Sequence, residues 1–205
     1  MKILATTAIA ALALAGTASA ETRNLSGFDS VGAEGHFRVE VAMGNAFSVT
    51  VDGAEADKVE TYIRNHSLQI RQTGTNWFRG SRRIDAVVHV TMPRVEGLSS
   101  AKGAEMRATD IRANDLSLSV AMGSEMVVTG TCHSLSASAA MGAELNAAHL
   151  DCATVDVSAS MGAEADVFAR ESVSASASMG ADIDISGNPR SRSASASMGG
   201  DISYP

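Results

Sequence analysis

Apolar and polar positions alternate strictly along most of this chain, and the alternation is clearest in its second half. Leu116, Leu118, Val120 and Met122 share one parity, as do Leu135, Ala137, Ala139 and Met141. Val155, Val157, Ala159 and Met161 repeat it, and so do Val173, Ala175, Ala177 and Met179. Serine fills most of the opposite parity. A period of two predicts strands with one buried face. After each Met-Gly pair the alternation resumes, with Ala143 and Leu145, Ala163 and Ala165, and Ala181 and Ile183 inward.

The glycines of these pairs are Gly123, Gly142, Gly162, Gly180 and Gly199, and Gly103 adds an earlier copy with Lys102 in the methionine place. Successive spacings are 20, 19, 20, 18 and 19 residues. Such a period is the mark of a solenoid. The pattern therefore predicts an all-β, right-handed parallel β-solenoid (β-helix) with coils of about 19 residues. Glycine is expected at the corner between two strands, where positive φ is needed. The methionine before it shares the parity of the leucines and valines, which predicts core packing for Met122, Met141, Met161, Met179 and Met198 rather than a copper site.

The first half is less regular. "HFRVEVAMG", "FSVTVDG", "SLQIRQTG" and "IDAVVHVTMP" read as strands bounded by Gly, Asn or Pro. Residues 54–63 read as a short helix or an irregular strand, and 73–83 as a hairpin loop. Residues 21–98 are expected to start the stack and cover its N-terminal end as a β cap. Residues 99–205 form the repeat coils of one continuous domain, 21–205. Aromatic residues sit mainly in the first half, so the second must close around small side chains.

Residues 1–20 combine Lys2, an apolar run and the ending Ala18-Ser19-Ala20, which predicts a signal peptide cleaved after Ala20. No second long apolar stretch follows, so no membrane span is expected. The chain is then exported, to the periplasm, the outer envelope or beyond. Its formal net charge is −7, and the leader contributes only a lysine. An acidic chain is a poor partner for nucleic acid.

Cys132 and Cys152 each stand nine residues before a Met-Gly methionine, so adjacent coils bring them into one register. Neighbouring strands lie within disulfide range, and export favours oxidation. A Cys132–Cys152 bridge is predicted. A metal site with His133 and His149 and free thiols are the alternatives.

The stretches "FDSV" (28–31), "VTMP" (90–93) and "GNPRS" (187–191), with the Met-Gly repeats between them, resemble the bacterial family described as putative auto-transporter adhesin, head GIN domain. The resemblance spans about residues 27–203. It implies an exported β-solenoid and carries no catalytic residues.

Two surface features are candidate sites. Glu105, Glu125, Glu144, Glu164, Asp182 and Asp201 each lie two residues past a corner glycine. Stacked acids repel, and oxygen ligands suit calcium, so weak calcium binding is set against a merely solvated face. Otherwise no cofactor is expected. Trp77, Phe78, Arg79, Arg82 and Arg83 form the one basic-aromatic cluster, able to stack on a sugar or hold an anion. A serine ladder (Ser136, Ser138, Ser158, Ser160, Ser174, Ser176, Ser178, Ser193, Ser195, Ser197) reads as a polar outer face. His36, His66 and His89 are scattered.

No Gly-x-Ser-x-Gly, His-Glu-x-x-His or phosphate-cradling loop occurs. The reading is a non-enzymatic, adhesin-like or scaffold module of the bacterial cell envelope that meets a surface glycan or protein. The alternatives are a polysaccharide-active β-helix enzyme and a divalent-cation-dependent structural protein. The final coil has few residues left to cover it, which predicts an end-to-end homodimer.

Overall fold

The computed structural model describes residues 20–74 and 82–204. They form a parallel β-solenoid of about five turns. Its repeat part consists of long bent strands: β9 (Glu105–Ala121), β10 (Glu125–Ala140), β11 (Glu144–Ser160) and β12 (Glu164–Ser178). Each pairs in parallel with the next. The last coil is split, with β13 (Asp182–Gly187) on the first half of β12 and β14 (Ser191–Ser197) on its second half. Finally, β15 (Asp201–Ser203) pairs with β13.

The long strands bend near their middles, where the pairing shifts register, once between β9 and β10 and between β10 and β11 and twice between β11 and β12. At Gly130 φ is +137°, and an added Cβ would lie 2.0 Å from the carbonyl oxygen of Ile111. That bend admits no side chain. The interior is lined by Leu116, Leu135, Val155 and Val173 on one side and by Met126, Leu145, Ala165 and Ile183 on the other. Alanines fill much of the remainder, so the two faces of each coil approach closely.

The turn between coils uses two residues rather than the glycine alone. Met122, Met141, Met161, Met179 and Met198 have φ between 50° and 56°, and the glycines after them are also positive. Two consecutive left-handed residues turn the chain sharply. For a side chain this conformation costs about 1–2 kcal/mol per residue.

That geometry corrects the prediction for the methionines. They are not core residues: the first four are 45–51% exposed and Met198 is 79% exposed. Strand alternation holds only while the backbone is extended. At the left-handed apex the side chain swings out, and the inward series restarts after the glycine with Ser124, Ala143, Ala163 and Ala181, all buried. Among the described methionines, Met92, Met106 and Met126 are the fully buried ones.

The first half stacks out of chain order. Its strands are β1 (Glu21–Thr22), β2 (Ser30–Glu34), β3 (Arg38–Met43), β4 (Ser48–Asp52), β5 (Val59–Arg64), β6 (Ser67–Gln72), β7 (Val87–Met92) and β8 (Gly97–Ala101). Strand β2 lies between β6 and β8, and β3 between β7 and β9, all in parallel. The coil made of β2 and β3 is thus inserted between the β6–β7 coil and the β8–β9 coil. Strands β4 and β5 run antiparallel to β7 and β6 and cover the outer edge, and β1 extends β4. This is the β cap expected from the sequence. Phe28 packs on Phe47 at its margin, with ring centroids 4.9 Å apart.

Two local predictions change. Residues 54–63 hold both a short 3-10 turn (Ala56–Lys58) and the strand β5. The segment 73–83 does not close a hairpin, because β6 pairs with β2 and β5 while β7 pairs with β3 and β4. Residues 75–81 of that segment lie outside the described residues. At the other end β14 is exposed along its whole length. Arg192 occupies an inward register opposite Val173, and its guanidinium stacks 4.7 Å from the Tyr204 ring centroid. This pair covers part of the terminal coil. Among the described residues no helix is long and apolar enough to cross a membrane.

Candidate functional site: outward ladders of the repeat coils

Strand pairing turns each sequence position into a column on the surface. Cys132 pairs with Cys152. Their Cα atoms are 4.5 Å apart and the two are joined as a disulfide. Both are buried, so the bridge ties two coils from within. His133 and His149 are not drawn into a ligand set with them.

The acids form one unbroken column. Glu105 pairs with Glu125, Glu125 with Glu144, Glu144 with Glu164, Glu164 with Asp182, and Asp182 with Asp201. A second acidic pair, Asp166 and Asp184, lies beside it. The column is not electrostatically uniform. At its N-terminal end Glu105 receives a two-pronged ion pair from Arg83, with Nη2 at 2.8 Å from Oε2, and Arg38 lies 3.5 Å away. The hydrogen bond from Arg83 holds the Glu105 carboxyl below the usual carboxylate range, against a smaller opposing effect of burial.

Further along the sign reverses. Glu144 is pushed up, first by partial desolvation and then by the charges of Glu125, Glu164 and Asp166. Asp166 is pushed up by burial and then by Asp184 and Glu164. Like charges at strand spacing disfavour ionisation of each other. Among the described residues no three His, Cys, Asp or Glu side chains converge as a ready set of metal ligands.

The basic-aromatic cluster is only partly within the described residues, since Trp77, Phe78 and Arg79 lie outside them. Arg82 and Arg83 are described, and both are engaged: Arg82 with Glu55, Arg83 with Glu105. Glu55 also takes Lys58, and its carboxyl is held below the usual range chiefly by that hydrogen bond. An open depression of about 380 Å³ lies here between Arg38, Glu55, Arg83 and Asp85. Arg83 therefore reaches the end of the acid column, a contact the spacing of the sequence could not reveal.

The serines are stacked as expected, and their columns extend further than the Ser-Ala repeats suggest. Ser99, Ser119, Ser138, Ser158, Ser176 and Ser195 form one column across six stacked strands. Ser117, Ser136, Asp156, Ser174 and Ser193 form the next, with an aspartate in the middle. Ser99 and Ser119 sit in "GLSSA" and "SLSV", where the alternation was the available clue. An open groove of about 530 Å³, lined by Arg94, Glu96, Arg112, Asp115, Ser117 and Ser136, borders this face. Ser124 is a different case. It is buried, and its Oγ accepts a hydrogen bond from the Gly103 amide at 3.1 Å. This accounts for a serine where the next three coils have alanine.

Comparison with known proteins follows the same lines as the geometry. No curated protein sequence matches the chain. Solved structures that share the fold over nearly the whole length include the following three. A putative adhesin from Bacteroides fragilis aligns with a TM-score of 0.67 at 13% identity, covering 90% of this chain and 95% of that one. A putative lipid binding protein from Parabacteroides distasonis aligns with a TM-score of 0.51 at 17% identity, covering 91% and 97%. A putative adhesin from the same species gives 0.50 at 12% identity, covering 91% and 96%. The family model described as "Putative auto-transporter adhesin, head GIN domain" matches residues 27–189, from the first stacked coil to just before β14. The chain belongs to that family.

Proposed function

We propose that this chain is an exported, non-enzymatic interaction module of the bacterial cell envelope. It engages a surface glycan or protein through its serine and acid faces. The observation that carries this reading is the unbroken register of outward side chains over successive coils. Such faces offer hydroxyls and carboxylates at a regular spacing of about 4.8 Å, which suits an extended partner with many equivalent weak contacts. Membership of a family described as adhesins supports it. In this reading residues 1–20 are a leader removed on export, and residues 21–205 act as one continuous domain. The exposed β14 edge offers a place for a second copy to pair end to end.

The test is retention of the purified chain on immobilised envelope polysaccharide and on intact bacterial cells. Wild type should be retained. A variant with Ser138→Ala, Ser158→Ala and Ser176→Ala, or with Glu144→Gln, Glu164→Gln and Asp182→Asn, should be released without any fall in Tm. Retention unaffected by both sets of changes would contradict the proposal, and turnover of the polysaccharide would favour the enzyme instead.

The crowding of Glu144 and Asp166 favours a second reading, in which a divalent cation bridges neighbouring acids and stabilises the coils. Calcium should then raise Tm in wild type and not in the acid-column variant, because a ligand of the folded state alone stabilises it. Equal melting in calcium and in chelator would remove this reading.

A further inference from the structure

Among the described residues, the corner methionines are the large exposed apolar group that the adhesive reading does not use. Met122, Met141, Met161 and Met179 stand at the same apex in successive coils. The amides of Gly123, Gly142 and Gly162 each donate to the carbonyl of the next coil's methionine at 3.1 Å. The apices are thus locked one above another. Each side chain is about half exposed.

Turn chemistry alone does not ask for methionine here. Asparagine tolerates the left-handed region better than other side chains, and Lys102 fills the same apex, at φ +59°, in the earlier coil. Methionine neither relieves the backbone nor packs the core, yet it recurs at five corners. What it places on the surface is a row of thioether sulfurs.

From these observations we infer that the methionine column is a binding site for a soft monovalent cation, copper(I) or silver(I). Thioether sulfur selects such ions over calcium, magnesium or zinc. Adjacent coils set the methionine backbones about 4.8 Å apart, and three rotatable bonds let two or three sulfurs turn toward one ion. The acid column begins three residues after each methionine, and its negative field raises the local concentration of cations of any kind. The sulfurs then supply the selection. Both cysteines are consumed in the disulfide, so no thiolate competes.

The experiment is a titration of the purified, disulfide-intact chain with silver(I) nitrate, followed by NMR of methyl-labelled methionine. The methyl resonances of Met122, Met141, Met161 and Met179 should shift together and saturate. Those of the buried Met92, Met106 and Met126 should stay in place and serve as internal controls. Calcium should move neither set. Replacing the four column residues by leucine should weaken silver binding by about tenfold or more, with Tm unchanged. If four changes disturb the fold, Met141→Leu with Met161→Leu should still weaken silver binding and reduce the silver-induced shifts of the remaining Met122 and Met179 methyls. Copper(I) kept reduced by ascorbate should reproduce the silver result. The inference is overturned if silver leaves the four methyls unmoved, if the leucine variants bind silver as tightly as wild type, or if calcium produces the same shifts.

Discussion

The two halves of the solenoid solve the same stacking problem in different ways. In residues 105–203 each coil lies on the one before it in the chain, and the interior is thin and rich in alanine. In residues 30–101 the β2–β3 coil is inserted between coils that come later in the sequence. There the interior takes Phe37, Leu68 and Ile70, and outward acids are matched by arginine and lysine. Glu34, for example, takes both Lys102 and Arg71, and Arg38 and Arg83 of this half reach across to Glu105, the first acid of the repeat half. The repeat half leaves its acid column largely unmatched. One half is therefore built for closure of an end, the other for repetition of a surface.

The difference should appear first in core substitutions. Phe37→Ala removes a fully buried ring from the first half and should cost about 3–5 kcal/mol, read as a fall in the midpoint of denaturant unfolding. The repeat half should be sensitive to the opposite change. Ala165→Leu forces bulk into the narrow coil and should cost about 1–3 kcal/mol, while leucine at the exposed Met141 should be close to neutral. Equal tolerance of Ala165→Leu and Met141→Leu would break the assignment of inside and outside.

Removing the bridge with Cys132→Ala and Cys152→Ala should cost about 3 kcal/mol on the loop-closure estimate. The loss should be confined to the repeat half, and hydrogen exchange should show it as faster opening of β10 and β11 than of β2 and β3. The smallest effect is electrostatic. Glu144→Gln removes a like-charge contact and should stabilise by about 0.2–1 kcal/mol at neutral pH, whereas Glu105→Gln should destabilise by losing the Arg83 pair. Their pH dependences have opposite sign. Glu144 and Asp166 hold protons more tightly in the folded chain, so the stability they cost is recovered as pH falls through their raised values toward the ordinary carboxylate range. Glu105 stabilises above its unfolded value, and that contribution is lost as pH falls through its depressed one.

Much of this architecture was legible because periodicity in the sequence is periodicity in space. The Met-Gly spacing placed the acid, serine and cysteine columns correctly, since each depends only on which residues share a register. The methionines were misread because parity counting assumes extended backbone, and two left-handed residues reset it. The inserted β2–β3 coil left no trace in the spacing, because stacking order is a long-range choice made where no repeat operates. The meeting of Arg83 with Glu105 was hidden for the same reason: it depends on where a non-periodic connection delivers its end.

The acid column is matched at one end and crowded in its middle. A carbon-detected NMR titration that resolves the side-chain carboxyls of Glu105 and Glu144 tests this directly. Glu105 should titrate below the ordinary glutamate range and Glu144 above it, with the Glu144 value falling back in Glu164→Gln. If both titrate together at the ordinary value, the column is a set of independent solvated acids and the contrast between the two halves is wrong.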